Sequence, residues 1–124
     1  MKKKYNIKFE PLDLIEGDTY VGVIERWQIK EDSDGAKLQI YVKLYIAEES
    51  AFLYSCRITN KRNTRFYNLC RKLYLLEEDG TVNFEILDSD CDVIVTLSEM
   101  PDGNFLISSM EWWDEDEDEG TEDE

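Results

Sequence analysis

The chain contains no histidine, and this absence removes the side chain that proteins use most often as a general base or metal ligand near neutral pH. Its three cysteines, Cys56, Cys70 and Cys91, are an odd number at wide spacing, which indicates reduced thiols rather than a disulfide framework or a zinc site. The sequence also has no C-x-x-C pair, P-loop or EF-hand loop. The absence of these residues and motifs predicts a protein that is not an enzyme and that holds no metal or cofactor.

Long apolar runs are missing as well, since the longest ones span only a few residues and a membrane helix needs roughly 18. The first residues are basic, but residues 5–10 alternate polar and apolar side chains where a signal peptide would be continuously apolar. Apolar mass is nonetheless sufficient for a core, because 42% of the 124 residues are hydrophobic and 12% are aromatic. We therefore expect one cytoplasmic domain with no membrane contact.

Negative charge dominates the chain but is concentrated at one end. The 14 Lys and Arg stand against 29 Asp and Glu, a net charge of −15, and ten of those acids with no base fall in residues 111–124. Such a block repels itself and buries little, so we expect an N-terminal extension at 1–16, a folded body at 17–112 and a disordered acidic tail at 113–124. The middle of the body is basic instead, with no acid between residues 57 and 72 and the cations Arg57, Lys61, Arg62, Arg65, Arg71 and Lys72.

Side-chain alternation predicts five strands, at residues 19–29, 36–46, 51–58, 91–98 and 105–112. Gly22 indicates a bend in the first strand, and Asp34-Gly35 predicts a hairpin between the first two strands. The second strand alternates most regularly. One face carries Leu38, Ile40, Val42, Leu44 and Ile46, and the other carries Lys37, Gln39, Tyr41, Lys43 and Tyr45.

One helix is predicted at residues 61–76, where Phe66, Leu69, Cys70 and Leu73 recur at the spacing of a single helical face. Residues 82–87 are predicted to form a short extended piece. The order of three strands, one helix and two strands is that of the OB-fold, a five-stranded Greek-key barrel. We therefore predict a mainly β, OB-fold-like barrel with the helix between strands 3 and 4; another small β-barrel or a two-layer α+β sandwich would give a similar order.

The positive functional signal is the mixture of aromatic and basic side chains on the polar face of the second strand. Tyrosine rings stack on bases and lysines bind phosphates, a combination that suits single-stranded nucleic acid. The same residues also suit an ordinary solvated sheet face, and Trp27 favours the core because Val23, Trp27 and Ile29 share a face by alternation. The candidates for nucleic-acid contact are Trp27, Lys37, Tyr41, Lys43, Tyr45, Tyr54, Arg57, Lys61, Arg62 and Arg65.

The acidic tail is the second signal. It is either a solubilising segment or a tethered polyanion that competes with nucleic acid for a basic groove and, once displaced, recruits partner proteins. The candidate residues for this role are Trp112, Trp113, Asp114, Glu115, Asp116, Glu117, Asp118 and Glu119.

An OB-like body followed by an acidic tail resembles the single-stranded DNA-binding proteins of bacteria, phages and mobile elements. The sequence GDTYVGVIE at residues 17–25, Asp34-Gly35 and the strand at 38–44 look like the opening of small phage-encoded members. The resemblance implies a protein of DNA replication or recombination, in which Tyr41, Tyr45 and Tyr54 stack bases and residues 111–124 recruit replication or recombination proteins. A homo-oligomer is compatible with it. Bacterial members carry an apolar Pro-Phe tip, whereas this sequence closes on Thr121-Glu-Asp-Glu124.

Two other functions fit the composition. An acidic inhibitor that mimics DNA, of the anti-restriction or anti-CRISPR type, would present ordered rows of carboxylates to a host enzyme. A protein-interaction adaptor would bind its partner through a sheet edge or through Trp112 and Trp113. The distribution of charge on the folded body separates the first alternative from a nucleic-acid binder.

Overall fold

The structure is a computed structural model, and it describes residues 14–113. The segments in which polar and apolar side chains alternate form five strands. One α-helix and one 3-10 helix lie between the third and fourth strands. The elements are β1 (Thr19–Asp32), β2 (Gly35–Leu44), β3 (Ala51–Arg57), α1 (Arg65–Lys72), the 3-10 helix (Phe84–Asp88), β4 (Asp92–Glu99) and β5 (Phe105–Trp112). The prediction of a mainly β chain with five strands and one α-helix is confirmed. Residues 1–13 of the predicted extension and residues 114–124 of the predicted tail lie outside the described residues.

All five strands belong to one antiparallel sheet in the order β3-β2-β1-β4-β5. β1 is central: it pairs with β2 over most of its length and with β4 through residues 19–23. β3 and β5 stand at the two ends of this order, yet they contact each other. The sheet therefore curls round on itself and encloses the apolar side chains.

Two features of β1 make this curvature possible. Gly22 lies opposite Leu44, and a Cβ at this position would be only 2.4 Å from the carbonyl oxygen of Lys43, so the strands approach too closely for any side chain. Three residues later the register shifts between Ile24 and Arg26, as in a β-bulge. Val23 consequently faces outward opposite Lys43, whereas Trp27 faces the core opposite Ile40. The prediction that Val23 and Trp27 share a face is wrong, because the bulge changes the alternation.

The core is one continuous cluster, and β2 supplies its most buried row. Leu38, Ile40, Val42 and Leu44 are fully buried, as the alternation predicts, and each such side chain contributes about 1.5–3 kcal/mol through its burial. Ile46 does not join them, because β2 ends at Leu44 and Ile46 is 53% exposed.

The α-helix is shorter than predicted at both ends. Thr64 caps its first turn, its hydroxyl accepting from the backbone N–H of Tyr67. Asn63 before it and Tyr74 after it have positive φ angles of 65° and 59°, which helical residues cannot adopt. The predicted apolar face is confirmed, since Phe66, Leu69, Cys70 and Leu73 are buried.

The segment predicted to be extended at residues 82–87 is instead largely the 3-10 helix, so that prediction is wrong. Asn83 caps it by accepting from the backbone N–H of Glu85, a local interaction that competes with strand formation. Neither helix within residues 14–113 has the length and apolar character required to cross a bilayer.

Candidate nucleic-acid interface

The side of β1, β2 and β3 that points away from the core carries an ordered set of polar side chains. Directly opposite residues of antiparallel strands lie on the same side of a sheet, so the register defines rows that cross all three strands. The rows are Lys30, Lys37 and Arg57; Gln28, Gln39 and Ser55; and Arg26, Tyr41 and Leu53. We call this surface the β1–β3 outer face.

The first row places three cations side by side on neighbouring strands. Like charges directly opposite each other weaken strand pairing. Within residues 14–113 no carboxylate lies within 4.0 Å of these three cations, since the one ion pair of that region joins Lys43 to Glu25. A bound anion, such as a phosphate group, would relieve this repulsion.

Arg57 is held in place by the β1–β2 hairpin. Its Nη1 donates to the backbone carbonyl of Asp34. Gly35 makes room for this contact: it has a φ of +123°, and a Cβ there would lie 3.2 Å from Nη1 of Arg57. The hairpin thus fixes one end of the cation row.

The third row contains a stacked cation and ring. The guanidinium carbon of Arg26 lies 3.8 Å from the centroid of the Tyr41 ring, a cation–π contact on the exposed side of the sheet. The neighbouring row is also ordered, because Nε2 of Gln28 donates to Oε1 of Gln39 at 2.7 Å. Tyr41 and Arg26 together form a stacked platform on the same side of the sheet as the three cations, separated from them by the row of Gln28, Gln39 and Ser55.

Lys43 and Tyr45 lie at the other end of the outer face, near carboxylates. Nζ of Lys43 is 3.7 Å from Oε2 of Glu25, so part of its charge is already neutralised. Tyr45 follows the last residue of β2 and donates its hydroxyl hydrogen to Asp92 of β4. This hydrogen bond to the carboxylate raises the pKa of Tyr45, with burial adding to the effect.

Two predicted contact residues lie on the core side. Nε1 of Trp27 donates to Asp88 at 2.7 Å, and its ring stacks on Phe84 with 5.8 Å between centroids. Tyr54 is only 3% exposed beneath Arg65, and this burial raises the pKa of Tyr54 to about 12. Neither residue is on the outer face; the bulge in β1 turns Trp27 inward, and Tyr54 pairs with the buried Ile40.

The cations after β3 form a separate group. Arg65 lies over Tyr54, with 4.9 Å to the ring centroid, and donates to the carbonyl of Ser55 at 3.2 Å. Arg62 donates from Nη1 to the hydroxyl of Tyr67 at 2.8 Å. Lys61 is exposed beside it. Lys61 and Arg62 both line a cavity and do not lie on the β1–β3 outer face.

Three residues of the outer face were not among the candidates predicted from the sequence: Arg26, Gln28 and Lys30, which β1 contributes. The sequence signal for these three residues is that the alternation of core-facing and outward-facing side chains changes within β1. Ile24 and Trp27 are both on the core side although they are three positions apart, and an odd spacing requires one extra residue in the strand. Reading that irregularity as a bulge puts the three polar side chains beside Tyr41 and Lys37.

The body ends in the tryptophan pair that precedes the acidic segment. Trp112 is half-buried, and its Nε1 donates to the carbonyl of Leu73 at 2.7 Å. Trp113 is 39% exposed. The remaining candidates of this group, residues 114–119, lie outside the described residues. In the part of the chain from 14 to 113, no group of three or more Cys, Asp or Glu residues is placed to hold a metal ion.

No protein-family model matches the chain, and no curated protein matches its sequence. The resemblance to single-stranded DNA-binding proteins therefore stays a prediction, and the geometry of the outer face is the basis for a proposal about function.

Proposed function

We propose that this chain is a non-catalytic single-stranded DNA-binding protein that acts in replication or recombination and binds the strand on the β1–β3 outer face. The observation that carries the proposal is that the row of Lys30, Lys37 and Arg57 shares one side of the sheet with the platform of Arg26 and Tyr41. Cations follow the phosphates of a single strand, and flat π surfaces stack on its exposed bases. Both surfaces stand on the same side of one sheet, with the row of Gln28, Gln39 and Ser55 between them.

We also propose that the curled sheet is a barrel of the OB type. Three features support this: β1 pairs with both β2 and β4, the end strands β3 and β5 contact each other, and α1 lies between β3 and β4. Barrels of this type bind oligonucleotides on the face of strands 2 and 3 and on the adjoining loops. The outer face described above occupies the corresponding strands and is extended by β1.

The acidic residues 114–124 act, in this proposal, as an internal competitor. Nine acids follow Trp113, and the tether keeps them at high effective concentration near the cationic row. These acids weaken the non-specific binding of other polyanions to the cationic row, and a long single strand of DNA displaces the acids from that row. The released segment, together with the exposed Trp113, is then free to contact replication or recombination proteins.

The charge distribution favours this function over that of a DNA mimic. A mimic needs ordered rows of carboxylates, whereas the row that crosses three strands here consists of Lys30, Lys37 and Arg57. Acidic residues of the body are frequent at the end of β1 and in the loops instead, as at residues 31–34, 48–49 and 77–79. A nucleic-acid strand fits the cationic row, and the groove of a DNA-binding enzyme does not.

Fluorescence anisotropy of a labelled oligo-dT, at low and moderate salt, tests the proposal. Two proteins are compared: the full chain, and a full-length variant in which residues 114–119 are changed from Asp and Glu to Asn and Gln. We expect salt-sensitive binding by both, tighter in the neutralised variant, and weaker binding of a duplex of equal length. Absence of binding by both proteins would refute the proposed function.

A further inference from the structure

A cavity of about 290 Å³ opens between the segment that follows β3, one side of α1 and the turn that precedes the 3-10 helix. Its wall is largely apolar and includes Ile58, Phe66, Tyr67, Leu76, Val82 and Phe84. Pockets for drug-sized ligands span about 300–1,000 Å³. A cavity just below that range has room for one planar ring system with little to spare.

The aromatic wall is already a stack of rings. Trp27 lies on Phe84, with 5.8 Å between centroids and 20° between planes, and Phe66 lies 6.1 Å from Phe84 at 25°. Phe66 and Phe84 both line the cavity. A planar aromatic ligand would extend this stack, as nucleobases do on aromatic side chains.

The exposed part of the cavity lining includes two cations and is held in shape by local hydrogen bonds. Lys61 and Arg62 stand there, and Arg62 is fixed by its bond to the hydroxyl of Tyr67 at 2.8 Å. The backbone of Lys61 is held at both ends: its N–H donates to Oγ1 of Thr59 at 3.2 Å, and its carbonyl accepts from Oγ1 of Thr64 at 3.0 Å. A flat aromatic wall beside two cations matches a ligand that combines a ring with an anion, which describes a nucleotide.

The cavity also begins where the β1–β3 outer face ends. Arg57 is the last residue of the cationic row, and Ile58, the next residue, lines the cavity. The N–H of Ile58 donates to the carbonyl of Ala36, which precedes Lys37, so the paired backbone that carries the cationic row continues directly into the cavity wall. We propose that this cavity is a second subsite, which takes one base of the same DNA strand while Lys61 and Arg62 hold its phosphate. The inference rests on the proposed function.

Photocrosslinking of the full-length protein tests the subsite without any substitution. Oligo-dT strands of increasing length, each with one 5-iodouracil at a chosen position, are irradiated in complex with the protein, and crosslinked residues are identified by mass spectrometry. We expect iodouracil at one end of the longer strands to crosslink at Tyr67 or Phe84, and iodouracil at internal positions to crosslink at Tyr41. Tight binding with crosslinks only on the outer face would overturn the subsite but not the proposed function, whereas absence of binding would overturn both.

A pocket-filling variant gives an independent readout. Val82→Phe narrows the cavity, and Ile86→Phe is the matched control because Ile86 is also half-buried but lies outside it. For strands long enough to reach the cavity, we expect Val82→Phe to lower affinity by about 5- to 150-fold, the effect of one lost base stack. Short strands should bind both variants like the unaltered protein. Equal affinities of the two variants for long strands would contradict the subsite.

Discussion

Arg26 lies over the ring of Tyr41, with its guanidinium carbon 3.8 Å from the ring centroid, although β1 would point residue 26 toward the core if its alternation were regular. The bulge at Glu25 reverses that orientation and aligns the two side chains across the strand pair. A base that binds here stacks on a composite of guanidinium and phenol ring rather than on a bare tyrosine. The two residues should therefore act as one unit in binding.

Substitution of either member of this pair should reveal the coupling. We expect Arg26→Ala and Tyr41→Ala each to weaken oligo-dT binding by about 1–3 kcal/mol. The double variant should lose less than the sum of the two, because each single change already disrupts the shared platform. Anisotropy titrations of the four proteins give the coupling energy. Tyr74→Ala is the control, since Tyr74 is 74% exposed away from the outer face; strictly additive losses would contradict a common platform.

The cationic row predicts opposite effects on binding and on stability. Lys37→Gln should reduce the slope of log K against log salt concentration by about 0.7, the contribution of one phosphate contact in a single strand. The same change removes repulsion from Lys30 and Arg57, so the free energy of unfolding should stay equal or rise by about 0.2–1 kcal/mol. Salt titrations and urea unfolding measure the two quantities.

Lys72→Gln is the matched control for this variant, because Lys72 is an exposed cation at the end of α1. Its salt slope should equal that of the unaltered protein. If the Lys37→Gln protein unfolds more readily and binds DNA normally, then Lys37 stabilises the sheet and does not bind a phosphate.

Features of this fold that depend on neighbouring residues in one strand are predictable from the sequence, whereas features that depend on how two strands pair are less so. Alternation in β2 predicts its buried row correctly because the period of a paired strand is fixed by its backbone. The core position of Trp27, which the sequence favours, is confirmed. The alternation with Val23 that predicts it is nevertheless broken, because one extra residue in β1 changes which side the following residues face. Tyr54 and Arg57 illustrate the same limit: their spacing in β3 is odd, so only one can be on the outer face, and the pairing with buried Ile40 decides which.

Tyr74 occupies a backbone conformation that suits glycine. It follows the C-cap of α1 with φ 59°, in the left-handed region, and its ring is 74% exposed. A side chain with a Cβ costs about 1–2 kcal/mol in that conformation, and little packing compensates for it here. We expect Tyr74→Gly to raise the free energy of unfolding by about 1 kcal/mol in urea titrations. A loss of stability instead would show that the exposed ring packs against the body.

Stability at high pH should depend on Tyr54. Burial raises the pKa of Tyr54 from its ordinary value of 10.0 to about 12. The Tyr54 hydroxyl therefore loses its proton at a lower pH in the unfolded chain than in the folded chain. The stability that the protonated hydroxyl contributes is full below pH 10 and is lost as the pH rises toward 12. Two pKa units correspond to about 2–3 kcal/mol.

The check is a comparison with Tyr54→Phe, which keeps the buried ring and cannot ionise. The free energy of unfolding of both proteins is measured in urea from pH 8 to 11.5. The difference between the two proteins removes the contribution of the remaining tyrosines and lysines, because both proteins share those residues. The unaltered protein should lose stability relative to the variant above pH 10. A constant difference across that range would mean that the phenol is not buried as the structure shows.

The most direct test of the account maps which surface the strand covers. Backbone amide signals of the full chain are followed by two-dimensional NMR while oligo-dT is added to saturation. We expect the largest changes to cluster at residues 26–30, 37–43 and 53–57, the strand segments of the β1–β3 outer face. Changes confined to β4 and β5, with the outer face unaffected in the bound protein, would contradict it.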